Sequence, residues 1–171
     1  IGKVLCKYLL RKKGDKFIVG NPYWEIYLNE KKGIIFITTG NPQNYFIGVD
    51  RPGLNEYTNS VIAIDIDKKK ELWKFQETSH DLWNLDIPAA PILTSIKYEN
   101  RIIDIVVAIT KLGNTLIFER DTGVNLNKYK IIQTRSSYIK GEKSSPYQKY
   151  FLEPRSFSKN NFLPSDVFSI D

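Results

Sequence analysis

The residues best suited to chemistry in this 171-residue chain lie between positions 80 and 88. This segment contains the only histidine, His80, one of three tryptophans, Trp83, and the carboxylates Asp81 and Asp86. Histidine and carboxylate side chains are the usual groups for proton transfer in enzymes. The segment also separates two regions with strong strand signals, and loops on a rigid β scaffold commonly carry functional groups. We therefore expect any chemistry of this chain within residues 80–88.

His80 and Asp81 predict a hydrogen-bonded pair. A histidine in such a loop more often ties the loop to backbone than titrates in catalysis. The sequence contains no Ser-His-acid set, CxxC motif or phosphate-binding loop that competes with this segment. The single cysteine, Cys6, has no internal disulfide partner and is interpreted as a small buried hydrophobic residue.

The composition indicates one ordinary globular domain, with 42% hydrophobic and 26% charged residues. Its apolar runs are far shorter than the about 20 residues of a membrane-spanning helix. The formal charge is +6, but the lysines form short clusters at 11–13, 31–32 and 68–70 without interleaved aromatic residues. We interpret these clusters as solvated turns and expect no nucleic-acid partner.

The elements that must position residues 80–88 are predicted to be strands, because β-branched and aromatic residues occur in short runs between turn-forming residues. No long apolar stripe of helical period is present. Nine strands are predicted, at residues 4–10, 23–28, 33–39, 60–66, 71–76, 90–98, 101–110, 114–119 and 126–132. This density of strands predicts an all-β fold.

The strands repeat in groups. Residues 23–76 and 87–132 each contain four predicted strands. In each group, a polar turn precedes a last strand that contains an aromatic residue. Residues 1–10 resemble the last strand of such a group. Repeated four-stranded units of this length are typical of β-propeller blades, and a β-sandwich would not repeat the turn. We predict two blades at 23–76 and 87–132, preceded by the outer strand of another blade.

Two blades do not close a propeller, which typically needs about 4 to 8. The sequence begins at Ile1 without an initiating methionine or a signal segment. We therefore expect the chain to be a fragment of a longer propeller. Residues 133–171, which contain three prolines, are predicted to be an extended tail that wraps the blades. Its aromatic residues Tyr150, Phe151, Phe157 and Phe162 are expected to pin it by burial.

Several motifs along the chain resemble those of the pyrroloquinoline quinone (PQQ)-dependent alcohol and glucose dehydrogenases, which are eight-bladed quinoprotein propellers. The similarity is strongest to the glucose-dehydrogenase-like branch and follows one order over nearly the whole chain. The matching stretches are 39–42, 51–53 with Tyr57, 60–65, 72–76, 80–83, 86–89, 111–113, 119–123 and 141–146 with Phe157.

This resemblance implies roles for three residues that are otherwise ambiguous. Trp24 matches the tryptophan that stacks under the quinone, although alone it would be interpreted as a blade-core aromatic. Asn41, in Thr39-Gly40-Asn41-Pro42, matches a metal-ligand asparagine whose amide oxygen suits calcium. Lys111, in Lys111-Leu112-Gly113, matches the lysine that contacts the quinone oxygens. The acidic metal ligand of the family is expected upstream of Ile1.

Asn84 departs from the family pattern. The resemblance places the catalytic aspartate, which takes the substrate hydroxyl proton, at this position. An amide can coordinate a metal through oxygen, but it cannot accept a proton near neutral pH. Asp86, two residues later, would point to the same side of an extended segment. Three roles remain open for Asp86: a substitute base, a metal ligand, or an acid that caps the turn before Pro88, with the metal and structural roles favoured.

The resemblance implies a periplasmic enzyme that transfers hydride from an alcohol or aldose to PQQ, with calcium or another hard cation as Lewis acid. A quinone or a cytochrome would accept the electrons, and membrane association would depend on parts outside this chain. A non-catalytic propeller scaffold that has lost the base is the alternative, and a nucleic-acid module is the weakest. We expect no turnover from residues 1–171 alone, because the cofactor funnel would be incomplete.

Overall fold

A computed structural model describes residues 26–152, and every regular element in that range is a β-strand. The described part of the chain has no helix that is long and apolar enough to cross a membrane. The all-β prediction is therefore confirmed. The nine strands are β1 (Tyr27–Asn29), β2 (Ile34–Thr38), β3 (Ser60–Asp65), β4 (Lys70–Gln76), β5 (Ile92–Tyr98), β6 (Arg101–Ile109), β7 (Thr115–Glu119), β8 (Tyr129–Gln133) and β9 (Tyr147–Phe151).

The first sheet contains β1, β2, β3 and β4 in that order, all antiparallel. Strand β3 has a continuous apolar run, Val61 to Ile64, and every residue of the strand is buried, so it packs on both faces. The turn into β4 is fixed by Asp65, whose carboxylate accepts a 2.8 Å hydrogen bond from Lys68 N. This backbone hydrogen bond, with the Lys68 side chain, lowers the pKa of Asp65. The sheet has the four strands of a propeller blade.

The second sheet has only three regular strands, β5, β6 and β7. The predicted fourth strand at 126–132 divides into two parts instead. Asn125, just before it, forms a single bridge with Phe118 of β7, and Leu126 N then donates to Ile117 O at 2.8 Å. The Asn127 side chain then takes the next backbone positions, because it accepts from Ile117 N at 2.7 Å and donates to Thr115 O at 2.8 Å. Because the Asn127 side chain occupies these backbone groups of β7, no regular fourth strand pairs with β7.

The second part of that predicted strand pairs with the tail. Strand β8 is antiparallel to β9, which lies within residues 133–171 where only extended loop was predicted. The described part of the tail therefore contains one strand, β9, after a loop at residues 134–146. Phe151, expected to pin the tail, is 5% exposed and packs against Phe75 and Tyr129.

Trp73 joins the first two sheets. Its ring lies between Phe36, at a centroid distance of 5.9 Å, and Phe118, at 5.4 Å. Its indole Nε1 donates a 3.0 Å hydrogen bond to Arg120 O in the turn after β7. Gly123, with φ of 71°, lies so close to this indole that an added Cβ would be 2.4 Å from Trp73 Cγ. The main core contains side chains from all three sheets.

Several predictions fall outside the described residues. They concern the strand at 4–10, the blade boundary at residue 23, Cys6, Trp24, Phe157 and Phe162.

Candidate functional site

Four of the residues singled out in the sequence lie together beyond the C-terminal ends of β2 and β6. Asn41 follows β2, and its backbone N donates to Asp86 Oδ1 at 2.8 Å. The Asn41 side chain donates from Nδ2 to Asn84 Oδ1 at 2.7 Å. Lys111 follows β6, and its ammonium group contacts the Asp86 carboxylate and donates to Asn84 O at 3.1 Å. Three segments that are distant in sequence therefore converge on one small cluster.

The Thr39-Gly40 stretch before Asn41 is held by the first sheet. Thr39 N donates to Ser60 O at 2.9 Å, and Thr39 Oγ1 donates to Tyr57 O at 2.7 Å. The turn that carries Lys111 is closed by a 2.9 Å bond from Gly113 N to Thr110 O, and Gly113 has a φ of 74°. Both segments are thus positioned at strand ends by hydrogen bonds to backbone carbonyls.

Asp81 shapes the loop that carries Asn84. Its carboxylate is completely buried and accepts from Trp83 N at 2.8 Å and Leu85 N at 2.7 Å. Asn59 Nδ2 adds a third bond at 2.9 Å. The loop therefore coils around this carboxylate, and Asn84 takes a left-handed backbone conformation with φ of 60°. Asparagine and aspartate tolerate this conformation better than most residues.

The segment from Asn84 to Asp86 is not extended, because Asn84 has a left-handed backbone conformation. The two side chains meet at Asn41 nevertheless. Asp86 is 1% exposed, and both of its oxygens are occupied, by Asn41 N and by the Lys111 ammonium. Of the three roles left open for Asp86, this arrangement favours the structural one.

The predicted His80–Asp81 pair is not formed. His80 Nε2 lies 2.7 Å from Glu142 Oε1, and His80 Nδ1 lies 2.7 Å from Gly53 O. Both ring nitrogens are therefore engaged, one by a side-chain carboxylate and one by a backbone carbonyl. His80 also has a φ of 49°, which is rare for residues other than glycine. As predicted for such a loop, the histidine ties the segment to backbone.

Glu142 is the partner that fixes His80. It also accepts from Gly48 N at 2.7 Å and from Lys143 N at 3.1 Å. Burial opposes its ionisation, but the hydrogen bonds from His80 and Gly48 N outweigh burial and lower the pKa of Glu142. A Cβ at Gly48 would lie 2.4 Å from His80 Nε2, so only glycine leaves room for this pair.

Sequence reasoning assigned no role to three buried residues around the site: Arg51, Glu77 and Glu142. Arg51 is 1% exposed and donates to Asp81 O at 2.5 Å and to Asn55 Oδ1 at 2.5 Å. Arg51 and Glu142 lie in motifs that carry the family resemblance, and this was the only signal available. Glu77 gave none.

The described cluster fits one part of a hard-cation site. No described group of three or more His, Cys, Asp or Glu side chains is arranged to hold a metal ion. The Asp86 carboxylate is already ion-paired with Lys111, and Asn84 Oδ1 accepts from Asn41. Asn41 Oδ1, in contrast, accepts no hydrogen bond from a described residue. Asn41 Oδ1 is therefore the side-chain amide oxygen of this cluster that stays open to a hard cation such as calcium.

Comparison with known proteins identifies the family to which the chain is similar. Residues 14–170 match the family model described as the PQQ glucose/ethanol/alcohol dehydrogenase β-propeller domain. The chain is 31% identical over 163 residues to quinoprotein glucose dehydrogenase A of Acinetobacter calcoaceticus, covering 90% of this chain and 20% of that protein. It is 27% identical over 136 residues to a probable quinate dehydrogenase (quinone) of Xanthomonas campestris pv. juglandis, covering 78% and 17%.

Solved structures give the same fold. Quinohemoprotein alcohol dehydrogenase from Comamonas testosteroni superposes with a TM-score of 0.58 at 24% identity, over 64% of this chain and 17% of that one. A europium-containing methanol dehydrogenase superposes with a TM-score of 0.57 at 21% identity, over 63% and 19%. The chain thus spans about a fifth of the length of these relatives.

Proposed function

Because this chain belongs to the β-propeller family of PQQ-dependent glucose, ethanol and alcohol dehydrogenases, we propose that it supplies about two blades and one wall of the cofactor funnel in a longer dehydrogenase. The observation that carries the proposal is the convergence of Asn41, Asn84, Asp86 and Lys111 from three segments. Non-catalytic propeller repeats would have no need to bring these polar groups to one end of two sheets.

Bound PQQ would supply the two-electron acceptor for oxidation of an alcohol or aldose. Lys111 would present its ammonium group to the quinone oxygens. Its ion pair with Asp86 holds the side chain in place, and 38% of the side chain stays exposed to a ligand. Positive charge there stabilises negative charge that develops on a reduced cofactor. Asn41 Oδ1 would be one ligand of a calcium-type cation, and Trp24, outside the described residues, would stack under the quinone. The electron acceptor would be a quinone or a cytochrome, and the location would be the periplasm.

A second function, a scaffold that binds cofactor without turnover, is favoured by one observation. Asn84 stands where the family base is expected, and its Oδ1 accepts a hydrogen bond from Asn41 Nδ2. An amide has no proton-accepting capacity near neutral pH. Asp86 is not free to replace it, because both of its oxygens are occupied.

The test is a dye-reduction assay on the full-length protein that carries this chain, after reconstitution with PQQ and calcium. We expect cofactor absorbance together with dye reduction when glucose or a small alcohol is added. Cofactor binding without dye reduction would identify the scaffold. Failure to bind PQQ in the presence of calcium would contradict both functions.

A further inference from the structure

A buried carboxylate outside the site, Glu77, contacts both ends of the turn that carries Lys111. Glu77 follows β4 and is 1% exposed. Its Oε1 accepts from Thr110 Oγ1 at 2.9 Å and from Asn114 Nδ2 at 2.7 Å. Thr110 and Asn114 flank the sequence Lys111-Leu112-Gly113 and bond each other through Thr110 N and Asn114 O at 3.1 Å. Glu77 therefore fastens this turn to the first sheet.

Two polar atoms of this contact have no hydrogen-bond partner among the described residues. They are Glu77 Oε2 and Asn114 Oδ1, and both are buried. An ionised carboxylate and an amide carbonyl are acceptors only, so a charged Glu77 leaves both atoms unmatched. A neutral carboxyl group carries an O–H donor. A single proton on Oε2 would therefore satisfy both atoms.

We propose that Glu77 is protonated in the folded protein and donates from Oε2 to Asn114 Oδ1, and that this two-bond carboxyl–amide pair positions the turn that carries Lys111. Glu77 is thus a positioning residue, because it acts on the cofactor region only through this turn. The positioning half rests on the proposed function, since it requires that Lys111 contacts PQQ. The protonation half does not depend on the cofactor.

The surroundings of Glu77 favour the neutral form. Burial raises the pKa of Glu77 to about 7, although the hydrogen bonds from Asn114 and Thr110 act in the opposite direction. Two charged groups act on it: Lys149 lowers the pKa and Asp81 raises it. Lys149 donates to Gln76 O at 2.7 Å, and burial also lowers the pKa of Lys149.

The pH dependence has a defined sign. The pKa of Glu77 is about 7 in the folded protein and 4.5 for the free side chain. Folding therefore takes up a proton between these values, and stability falls as pH rises from about 4.5 through about 7. Glutamine mimics the protonated carboxyl, because it accepts through Oε1 and donates through Nε2. A Glu77→Gln variant should therefore lack the loss of stability that ionisation of Glu77 causes as pH rises.

The test compares Glu77→Gln with Glu142→Gln in the full-length protein, by thermal unfolding at pH 5.5 and pH 8.5. Glu142 is the matched control, because it is also a buried glutamate, but both of its carboxylate oxygens have hydrogen-bond partners. We expect Glu77→Gln to melt close to the unsubstituted protein at pH 5.5 and above it at pH 8.5, and Glu142→Gln to melt lower at both. A Glu77→Gln variant that melts lower at pH 8.5, as Glu142→Gln does, would overturn the protonated state.

The positioning half is tested by PQQ affinity. We expect Glu77→Ala to weaken PQQ binding about tenfold, the loss of roughly one net hydrogen bond, and Glu77→Gln to restore it. Equal affinities for Glu77→Ala and the unsubstituted protein would contradict the positioning role. If no variant binds PQQ, the proposed function and this half fail together, whereas the melting comparison still decides the protonated state.

Discussion

Replacing Asn84 with aspartate raises PQQ-dependent dye reduction by the full-length protein about 10²- to 10⁴-fold, the usual contribution of a positioned general base. One oxygen of the new carboxylate still accepts the hydrogen bond from Asn41 Nδ2, and the carboxylate can take the substrate hydroxyl proton, which the amide cannot. Aspartate also tolerates the left-handed backbone at this position, where φ is 60°. The measurement is kcat with glucose or a small alcohol at saturating PQQ and calcium.

The matched control for this prediction is Asn44→Asp. Asn44 is exposed and has a φ of 61°, so the substitution repeats the backbone conformation and the charge change at a side chain that makes none of the cluster's hydrogen bonds. We expect it to leave kcat unchanged. An Asn84→Asp variant that binds PQQ as tightly as before but shows no gain over Asn44→Asp would remove the base assignment at residue 84.

Replacing Trp73 with alanine lowers the free energy of unfolding by about 3 to 5 kcal/mol, the usual cost of removing a buried aromatic side chain. Trp73 is 8% exposed, packs between Phe36 and Phe118, and loses its bond to Arg120 O in the variant. Because these contacts join the first two sheets, the loss should appear as a lower denaturant midpoint of the full-length protein.

Trp83→Ala is the control, because this second tryptophan is 56% exposed in the described structure. We expect its cost to remain within about 0.5 kcal/mol, as for most surface substitutions. Gly123→Ala gives an independent check, since its Cβ would overlap the Trp73 indole at 2.4 Å and its φ of 71° disfavours a side chain. Equal losses for the two tryptophans would contradict the role of Trp73 in joining the sheets.

Strands β2, β3 and β4 were predictable because their pattern is local, whereas β1 begins at Tyr27, near the end of the strand predicted at 23–28. The buried run of β3 and the lysine turn before β4 are both visible in sequence. The fate of residues 126–132 was not predictable, because it depends on the Asn127 side chain bonding to β7. Likewise, β9 exists because it finds β8 as a partner, and its own sequence contains mostly polar and aromatic residues.

Motifs predicted more of the site than spacing did. The positions of Asn41, Asn84 and Lys111 followed from the family resemblance, and the structure brings them together, although their chemical roles stay predictions. The predicted pairing of His80 with Asp81 was wrong. His80 has a left-handed backbone conformation and binds Glu142, which lies 62 residues further along the chain. Glu77 was missed for the same reason, since its partners lie 33 and 37 residues further along the chain.

The most direct test of the account is a titration of the full-length apoprotein with PQQ in the presence of calcium, followed by the absorbance of the bound quinone. We expect saturation at one PQQ per chain. Lys111→Met should weaken binding about tenfold or more, because a hydrogen bond to a charged group contributes about 1.5 to 3 kcal/mol. The control Lys97→Met removes an exposed lysine at the far end of β5 and should leave affinity unchanged. Absence of saturable binding, or equal effects of the two lysine substitutions, would contradict the assignment of this chain as a wall of the quinone funnel.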